Sequence, residues 1–191
     1  MTTQDDGDTG LGERSCIAFE GARRIAFGPL AAAAACVRVA MATAREPVLV
    51  FDAATSEPIE VDPRGDPAIA APRPLGRPRL GVVAREVTLL PRHWSWLSSQ
   101  PGGASVALRK LVEEARRTSA GPDRVRAAQE ATYRFISAMA GNLPGFEEAA
   151  RALYRADHAG FEATIAAWPT DIRDHAARLA GAAFEGVPPA V

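Results

Sequence analysis

Residues 85–117 read REVTLLPRHWSWLSSQPGGASVALRKLVEEARR, and the interpretation of the rest of the chain depends on this stretch. Its first residues favour an extended backbone, and alternate positions share a face of a strand. One face would carry Val87 and Leu89, and the other would carry Glu86, Thr88 and Leu90. Pro91 ends the strand because proline has no backbone donor. The pattern therefore predicts one isolated strand over 86–90.

Two helices are predicted after this strand. Proline suits the first position of a helix, so a short helix should run from Pro91 to about Ser98. The sequence PGG at 101–103 breaks it. Ser105 is then a good N-cap for a longer helix. That second helix has an apolar stripe at helical spacing, formed by Leu108, Leu111, Val112 and Ala115.

One strand and two helices cannot bury their own apolar faces, so this segment requires a second copy or other cover. The order of elements resembles the ribbon-helix-helix DNA-binding fold. In that family, strands of two chains pair into an antiparallel ribbon that enters the major groove. The resemblance implies a phosphate contact at the backbone N–H groups around Ser105. The register of the strand is open by one residue, depending on whether Leu90 or Pro91 starts the helix, and it decides which face is outward. If Glu86, Thr88 and Leu90 face outward, the ribbon presents Thr88, together with the less usual Glu86 and Leu90, to DNA.

An alternative interpretation is open at this point. The same pattern is typical of a strand and a helical hairpin inside an ordinary mixed domain. In that case the strand at 86–90 joins another sheet of the same chain, and no second copy is needed.

The charge distribution favours the nucleic-acid hypothesis. Residues 73–117 contain nine Arg or Lys and three Asp or Glu, a net charge of +6, whereas residues 1–72 carry −5 and residues 118–191 carry −2. A basic segment in an otherwise acidic chain is what a nucleic-acid contact needs. A solvated basic face is the simpler alternative. The predicted nucleic-acid-binding residues are Arg77, Arg79, Arg85, Thr88, Arg92 and Ser105.

Two of these arginines lie in a proline-rich stretch over residues 63–83. The sequence Gly76-Arg77-Pro78-Arg79 resembles the core of an AT-hook, which lays arginines along a narrow A·T minor groove. Leu75 and Leu80 interrupt the usual basic pattern. The stretch is also typical of a plain proline-rich linker.

The predicted fold class is α+β. The predicted organisation, in chain order, is a disordered tail over 1–14, a ββαββ unit over 15–62, the linker over 63–83, the ribbon-helix-helix-like segment over 84–118, a helical bundle over 119–180 and a frayed tail over 181–191. The first helix of the bundle is expected to start at Gly121-Pro122-Asp123.

Within the ββαββ unit, Gly21 is expected at the turn of the first hairpin, and the fourth strand is expected at residues 59–61. Within the bundle, Asp157 is expected to cap the third helix. Helical spacing predicts one inward-facing stripe for each bundle helix. From the first to the last helix, the stripes are Val125, Ala128, Thr132, Phe135, Ile136 and Met139; Phe146, Ala150 and Leu153; Phe161, Ile165 and Trp168; and Ile172, Ala176 and Leu179.

The residue pattern predicts no catalytic, cofactor-binding or metal site. Cys16 and Cys36 lack metal or redox spacing and are both expected to be reduced core residues. Asp171 and His175 are four residues apart on a predicted helix, which we interpret as a surface ion pair because two ligands do not make a metal site. With no signal peptide pattern and no apolar run of transmembrane length, a cytoplasmic protein without membrane insertion is expected. The sequence therefore predicts a protein that is not an enzyme. The weaker alternative is a hydrolase or metal-dependent enzyme built on the C-terminal helices.

Four short stretches together resemble a bacterial family of unknown function, domain-of-unknown-function family 2239. They lie at 76–85, 87–94, 100–105 and 133–135, and the resemblance spans roughly Cys16 to Ala180. It implies a bacterial origin and one shared architecture, and it transfers no catalytic residue.

The predicted function is a dimeric DNA-binding protein, a transcriptional regulator, whose partners are double-stranded DNA and a second copy of itself. The C-terminal helices could bind an additional protein partner. The alternative is a non-enzymatic protein-interaction module without nucleic-acid binding.

Overall fold

The computed structural model of the chain describes residues 15–61 and 85–185. They divide into two compact units. The first unit comprises residues 15–61 and 124–185, and the second comprises residues 85–123. The elements, in order, are β1 (Ser15–Glu20), β2 (Arg23–Pro29), α1 (Leu30–Thr43), β3 (Val48–Asp52), α2 (Pro91–Ser99), α3 (Gly103–Ala140), α4 (Phe146–Tyr154), α5 (His158–Ile165), α6 (Thr170–Ala180) and a 3-10 turn (Gly181–Ala183). The coarse α+β prediction is confirmed.

The sheet of the first unit has three antiparallel strands in the order β2-β1-β3. The fourth strand predicted around residues 59–61 is wrong, because beyond β3 there is only an isolated bridge between Phe51 and Pro58. Pro58 has no N–H to donate, so a ladder cannot form regularly there. Ile59 N–H still donates to the Val50 carbonyl at 2.8 Å. The described N-terminal region is therefore ββαβ.

Both faces of β1 are covered, which explains why four consecutive residues of this strand are buried. On one face, Cys16 and Ala18 pack with Val37 of α1. Cys36 of the same helix is exposed, so of the two cysteines predicted in the core only Cys16 lies there. On the other, Ile17 and Phe19 join the core of the C-terminal helices. The sheet and these helices, predicted as separate units, thus share one core. Each fully buried large apolar side chain contributes about 1.5–3 kcal/mol to such a core.

The C-terminal helices follow their predicted apolar stripes. Phe135 and Ile136 of α3 are fully buried, as are Leu153 of α4 and Phe161 of α5. The predicted cap of α5 is confirmed, since the Asp157 carboxylate accepts the Gly160 N–H at 2.9 Å.

Residues 181–185 differ from the predicted frayed tail. They include a 3-10 turn in which Ala183 is fully buried. Phe184 packs on the same core and lies 5.7 Å from Phe161, ring centre to ring centre. Apolar contact with α5 thus orders the chain beyond α6.

Helix α3 is continuous where the sequence predicts two helices separated near residues 118–121. Pro122 lies inside it and removes one helical hydrogen bond. The residue before a proline usually avoids the helical region because its Cβ meets the proline ring. Gly121 has no Cβ, so the helix can pass through this point.

His175 lies in the core, so the predicted surface ion pair with Asp171 is wrong. Its side chain is fully buried, and its ring centre is 4.5 Å from that of Phe135. Asp171 instead accepts the backbone N–H of Arg24 at 2.8 Å. An Arg178 N–H lies 3.2 Å from His175 Nδ1, and a guanidinium can only donate, so the neutral ring carries its proton on Nε2. Burial first, and then the charges of Arg178 and Arg24, lower the pKa of His175 to about 3.

Candidate nucleic-acid interface

The strand predicted at 86–90 is not formed. Residues 85–90 have no regular secondary structure, and the three-stranded sheet of the described residues does not include them. The backbone is extended where it enters α2, with φ −66° and ψ 150° at Leu90. A strand needs a second strand beside it to satisfy its donors and acceptors, and no described strand is paired with this segment.

Helix α2 begins where predicted, at Pro91. The Leu90 carbonyl accepts the N–H groups of His93 at 2.8 Å and Trp94 at 3.2 Å, so the extended segment leads directly into the helix. The helix ends at Ser99, one residue beyond the prediction.

The turn between α2 and α3 depends on two glycines. Gly102 and Gly103 have φ of +86° and +73°, a region that other residues rarely adopt. A Cβ at Gly102 would also lie 3.0 Å from the Cβ of Val106. The Gly103 N–H donates to the Gln100 carbonyl at 2.9 Å, which starts α3 two residues before the predicted N-cap. Ser105 is therefore inside the first turn of α3 and does not cap it.

Most large apolar side chains of the second unit are exposed. Only Leu97 and Ala107 are buried apolar residues in its described part. Six of the twelve exposed large hydrophobic residues of the described chain lie here, namely Val87, Leu90, Trp94, Trp96, Leu111 and Val112. We call these six the apolar set. Large apolar side chains are usually buried in a folded protein, so their exposure here requires a physical explanation.

The basic side chains of this unit fall into two classes. Arg116 and Arg117 form exposed ion pairs with glutamates one turn earlier, at 3.1 and 2.7 Å. Arg85, Arg92, Arg109 and Lys110 make no ion pair with any other described residue. These four charges are therefore not neutralised by a carboxylate of the described chain.

The structure places the predicted site residues as follows. Arg77 and Arg79 lie outside the described residues, so the AT-hook resemblance stays a prediction. Arg85, Thr88 and Arg92 are all exposed within one run of eight residues. Ser105 is exposed and follows the glycine turn, and its carbonyl accepts Arg109 Nε–H at 3.1 Å.

Sequence reasoning missed two polar features of the first unit. One is the buried His175, which does fall on the predicted stripe of Ile172, Ala176 and Leu179, so its position could have indicated burial. The other is a cleft lined by arginines of α3 and α6, for which sequence spacing gives no signal. Within residues 15–61 and 85–185, no three His, Cys, Asp or Glu side chains are grouped so that they could hold a metal ion.

A family model described as "Uncharacterized protein conserved in bacteria (DUF2239)" matches residues 15–180. The chain belongs to the DUF2239 family. The match spans both units, from β1 to the end of α6. The family resemblance drawn from the sequence is thus confirmed, and the DUF2239 description carries no activity.

No curated protein and no solved structure matches the chain. Among the described residues of this DUF2239 member, no helix is both long and apolar enough to cross a membrane.

Proposed function

We propose that this chain is a DNA-binding protein that acts as a dimer. Residues 85–90 of two copies would pair as an antiparallel ribbon, and the ribbon would enter the major groove of duplex DNA. Arg85 and Arg92 would contact phosphates, Thr88 would face the bases, and the first turn of α3 at Ser105 would hold a further phosphate.

The observation that carries the proposal is the state of residues 85–90. They are extended where they enter α2, they pair with no described strand, and five of the six are exposed. Unpaired donors and acceptors in an extended segment form a template for another strand. Two identical segments can pair with each other in antiparallel orientation across a two-fold axis. Such pairing gives a closed dimer.

The apolar set supports a second copy. Among the apolar residues of its described part, the second unit buries only Leu97 and Ala107, and units with such a small core often gain stability by association. Leu111 and Val112 of α3 are about half exposed, at 48% and 53%. Pairing two copies through the ribbon would bring a second set of such side chains to cover them.

The charges support DNA as the ligand. In the second unit Arg85, Arg92 and Lys110 have no carboxylate partner among the described residues. Cations of this kind release counterions from DNA when they bind phosphates, and this release drives binding that is sensitive to salt.

A second candidate function is a protein-interaction module without DNA affinity. The specific observation in its favour is the exposure of Trp94 and Trp96 on the short helix α2, at 39% and 52%. Tryptophan is enriched among residues that dominate protein–protein binding energy. In this alternative the apolar set docks a different protein.

Fluorescence anisotropy with a labelled DNA duplex at several salt concentrations tests the proposal. The logarithm of the binding constant should fall steeply with the logarithm of salt concentration, because each phosphate contact contributes about 0.9 to the slope. Alanine at Arg77, Arg79, Arg85 and Arg92 should lower the slope by about two to four.

The matched control removes four exposed arginines of the first unit, Arg23, Arg45, Arg151 and Arg155, and therefore changes the net charge equally. It should keep most of the wild-type slope. Equal slopes for the wild type and the Arg77, Arg79, Arg85 and Arg92 variant would remove the assignment. A dimer with no DNA affinity at low salt would favour the interaction module.

A further inference from the structure

A cleft of about 420 Å³ lies within the first unit, between the turn after β3 and helices α3 and α6. Three arginines line it: Arg124 and Arg134 from α3 and Arg178 from α6. Two carboxylates, Glu57 and Glu130, also reach it, so the cleft is positive by one charge. Its volume falls within the range that small-molecule sites occupy.

Two of these arginines are held in place by backbone carbonyls. Arg134 donates to the Thr55 carbonyl, and Arg178 donates to the Ala53 carbonyl at 2.7 Å. Both carbonyls belong to the turn after β3, which the Asp52 carboxylate orders by accepting the N–H groups of Ala54 and Thr55, each at 2.9 Å. A guanidinium has five N–H donors, so each arginine keeps donors for another group.

Carbonyl contacts orient these arginines without neutralising them. On the helix surfaces, arginines pair with carboxylates, as Arg151 does with Glu148 at 3.3 Å. In the cleft, neither Arg134 nor Arg178 has a carboxylate of the described chain within ion-pair distance. Arg124 forms only a long pair with Glu185, at 3.5 Å, in which both side chains are more than half exposed.

The surroundings of Arg178 add to this positive character. Its guanidinium carbon lies 6.0 Å from the ring centre of Phe27. Burial first, and then the charge of Arg24, lower the pKa of Arg178. A partly buried cation beside another cation gains more from a bound anion than an exposed one does, because water screens it less.

Apart from Thr55, the remaining lining of the cleft is apolar. It consists of one leucine and five alanines, namely Leu179, Ala54, Ala127, Ala128, Ala131 and Ala182. These side chains leave room for the apolar part of an organic ligand and can contact it. An inorganic anion would contact only the arginines.

We propose that this cleft binds a small organic acid, with its carboxylate on the guanidiniums of Arg134 and Arg178 and its hydrocarbon part on the alanines of α3 and on Leu179 of α6. Planar guanidinium groups match a carboxylate through paired N–H donors, and such charge-assisted hydrogen bonds are stronger than neutral ones. Such a site goes beyond DNA binding and does not depend on it.

Titration of the full chain followed by two-dimensional NMR tests the site. Hexanoate and benzoate are the probes, hexanamide is the uncharged match of hexanoate, and inorganic phosphate is an anion without a hydrocarbon part. Hexanoate or benzoate should shift the signals of cleft residues, while hexanamide should not. Phosphate should bind more weakly than either acid, because it gains nothing from the alanines.

Two variants locate the site. Arg134→Gln keeps a donor for the Thr55 carbonyl but removes the charge, and it should weaken binding of the acid by about tenfold or more. Ala127 is exposed on α3 and lines the cleft, so Ala127→Phe should fill the space and abolish binding while the fold is kept. Arg151→Gln, which removes an exposed arginine outside the cleft, is the control and should bind as the wild type does.

Four results would overturn the proposal. They are the absence of cleft shifts with both acids, equal binding of hexanamide and hexanoate, binding of phosphate as tight as that of the acids, and unchanged binding in Arg134→Gln and Ala127→Phe.

Discussion

The two units of this chain use similar apolar residues with opposite results. In the first unit, both faces of β1 find cover within the chain, from α1 on one side and from the C-terminal helices on the other. In the second unit, the apolar set stays exposed although its stripe on α3 has normal helical spacing. Helical periodicity therefore identifies a face that needs cover, but it does not say whether the cover comes from the same chain.

This difference leads directly to the functional proposal. A covered face stabilises a fold, whereas we propose that the uncovered apolar face next to unpaired backbone is a binding surface. In the first unit, burial extends even to a histidine, His175. In the second unit, only Leu97 and Ala107 of the described apolar residues are buried. The following predictions test this contrast, and the largest expected effect comes first.

Truncation of Phe135 should have the largest effect on stability. The centre of its ring lies 5.5 Å from that of Phe19 in β1 and 5.8 Å from that of Phe51 in β3. Phe135 therefore packs α3 against both of these strands. Phe135→Ala should lower the free energy of unfolding by about 3–5 kcal/mol in urea denaturation. The matched change in the second unit, Leu111→Ala, should cost below about 0.5 kcal/mol at concentrations where the chain is monomeric. If both variants lost a similar amount of unfolding free energy, the proposed difference in burial between the two units would be refuted.

Acidification should destabilise the first unit through His175. Its pKa is about 3 in the folded chain against an ordinary value of 6.5, so between these values the unfolded chain binds a proton that the folded chain does not. The stabilising effect is complete above pH 6.5 and falls by about 1.4 kcal/mol for each pH unit below it, until about pH 3. Urea denaturation at several pH values measures this slope. In His175→Leu, the free energy of unfolding should fall less steeply with decreasing pH, by that amount. An identical pH dependence in the variant and the wild type would contradict the burial of a neutral ring.

Replacement of Trp94 should weaken association and leave the fold intact. Its side chain is exposed in the single chain, so Trp94→Ser should change the free energy of unfolding of the monomer by less than about 0.5 kcal/mol. In the dimer it should raise the dissociation constant about tenfold or more, as expected for a buried interface tryptophan. Val39→Ser, a change of an exposed residue of α1, is the control. Equal dissociation constants for Trp94→Ser and the wild type would exclude this helix from the interface.

The ion pair between Arg117 and Glu114 should contribute least. Both side chains are about two-thirds or more exposed, at 74% and 64%, although their atoms are 2.7 Å apart. Glu114→Gln should change the free energy of unfolding by about 0.5 kcal/mol or less. A loss above 1 kcal/mol would mean that this part of α3 is covered, contrary to the exposure of the second unit.

Local residue patterns were sufficient to predict much of the fold. The glycine at 21 marks the turn between β1 and β2, Pro91 marks the start of α2, and Asp157 caps α5. These signals are local because one or two residues satisfy the backbone groups concerned. Continuity of α3 through Pro122 was missed, since it depends on the absence of a Cβ at Gly121 and on the wider packing of the helix.

Long-range features were harder to predict. The shared core of sheet and C-terminal helices arises from side chains such as Phe19 and Phe135, which are far apart in sequence. The cleft arginines come from two helices in the same way. At the candidate DNA interface, exposure of Arg85, Thr88 and Arg92 agrees with the sequence pattern. The register of the proposed ribbon would be a property of two chains, so one sequence does not determine it.

Sedimentation equilibrium of the wild type tests the central claim most directly, with Thr88→Pro and Thr88→Val as the paired variants. Proline at position 88 removes a backbone donor from the segment that would form the ribbon, whereas valine keeps the donor and suits a strand. The account predicts a dimer for the wild type and for Thr88→Val at micromolar concentration, and a monomer for Thr88→Pro. A wild type that stays monomeric at that concentration, with the far-ultraviolet circular dichroism of a folded protein, would contradict it.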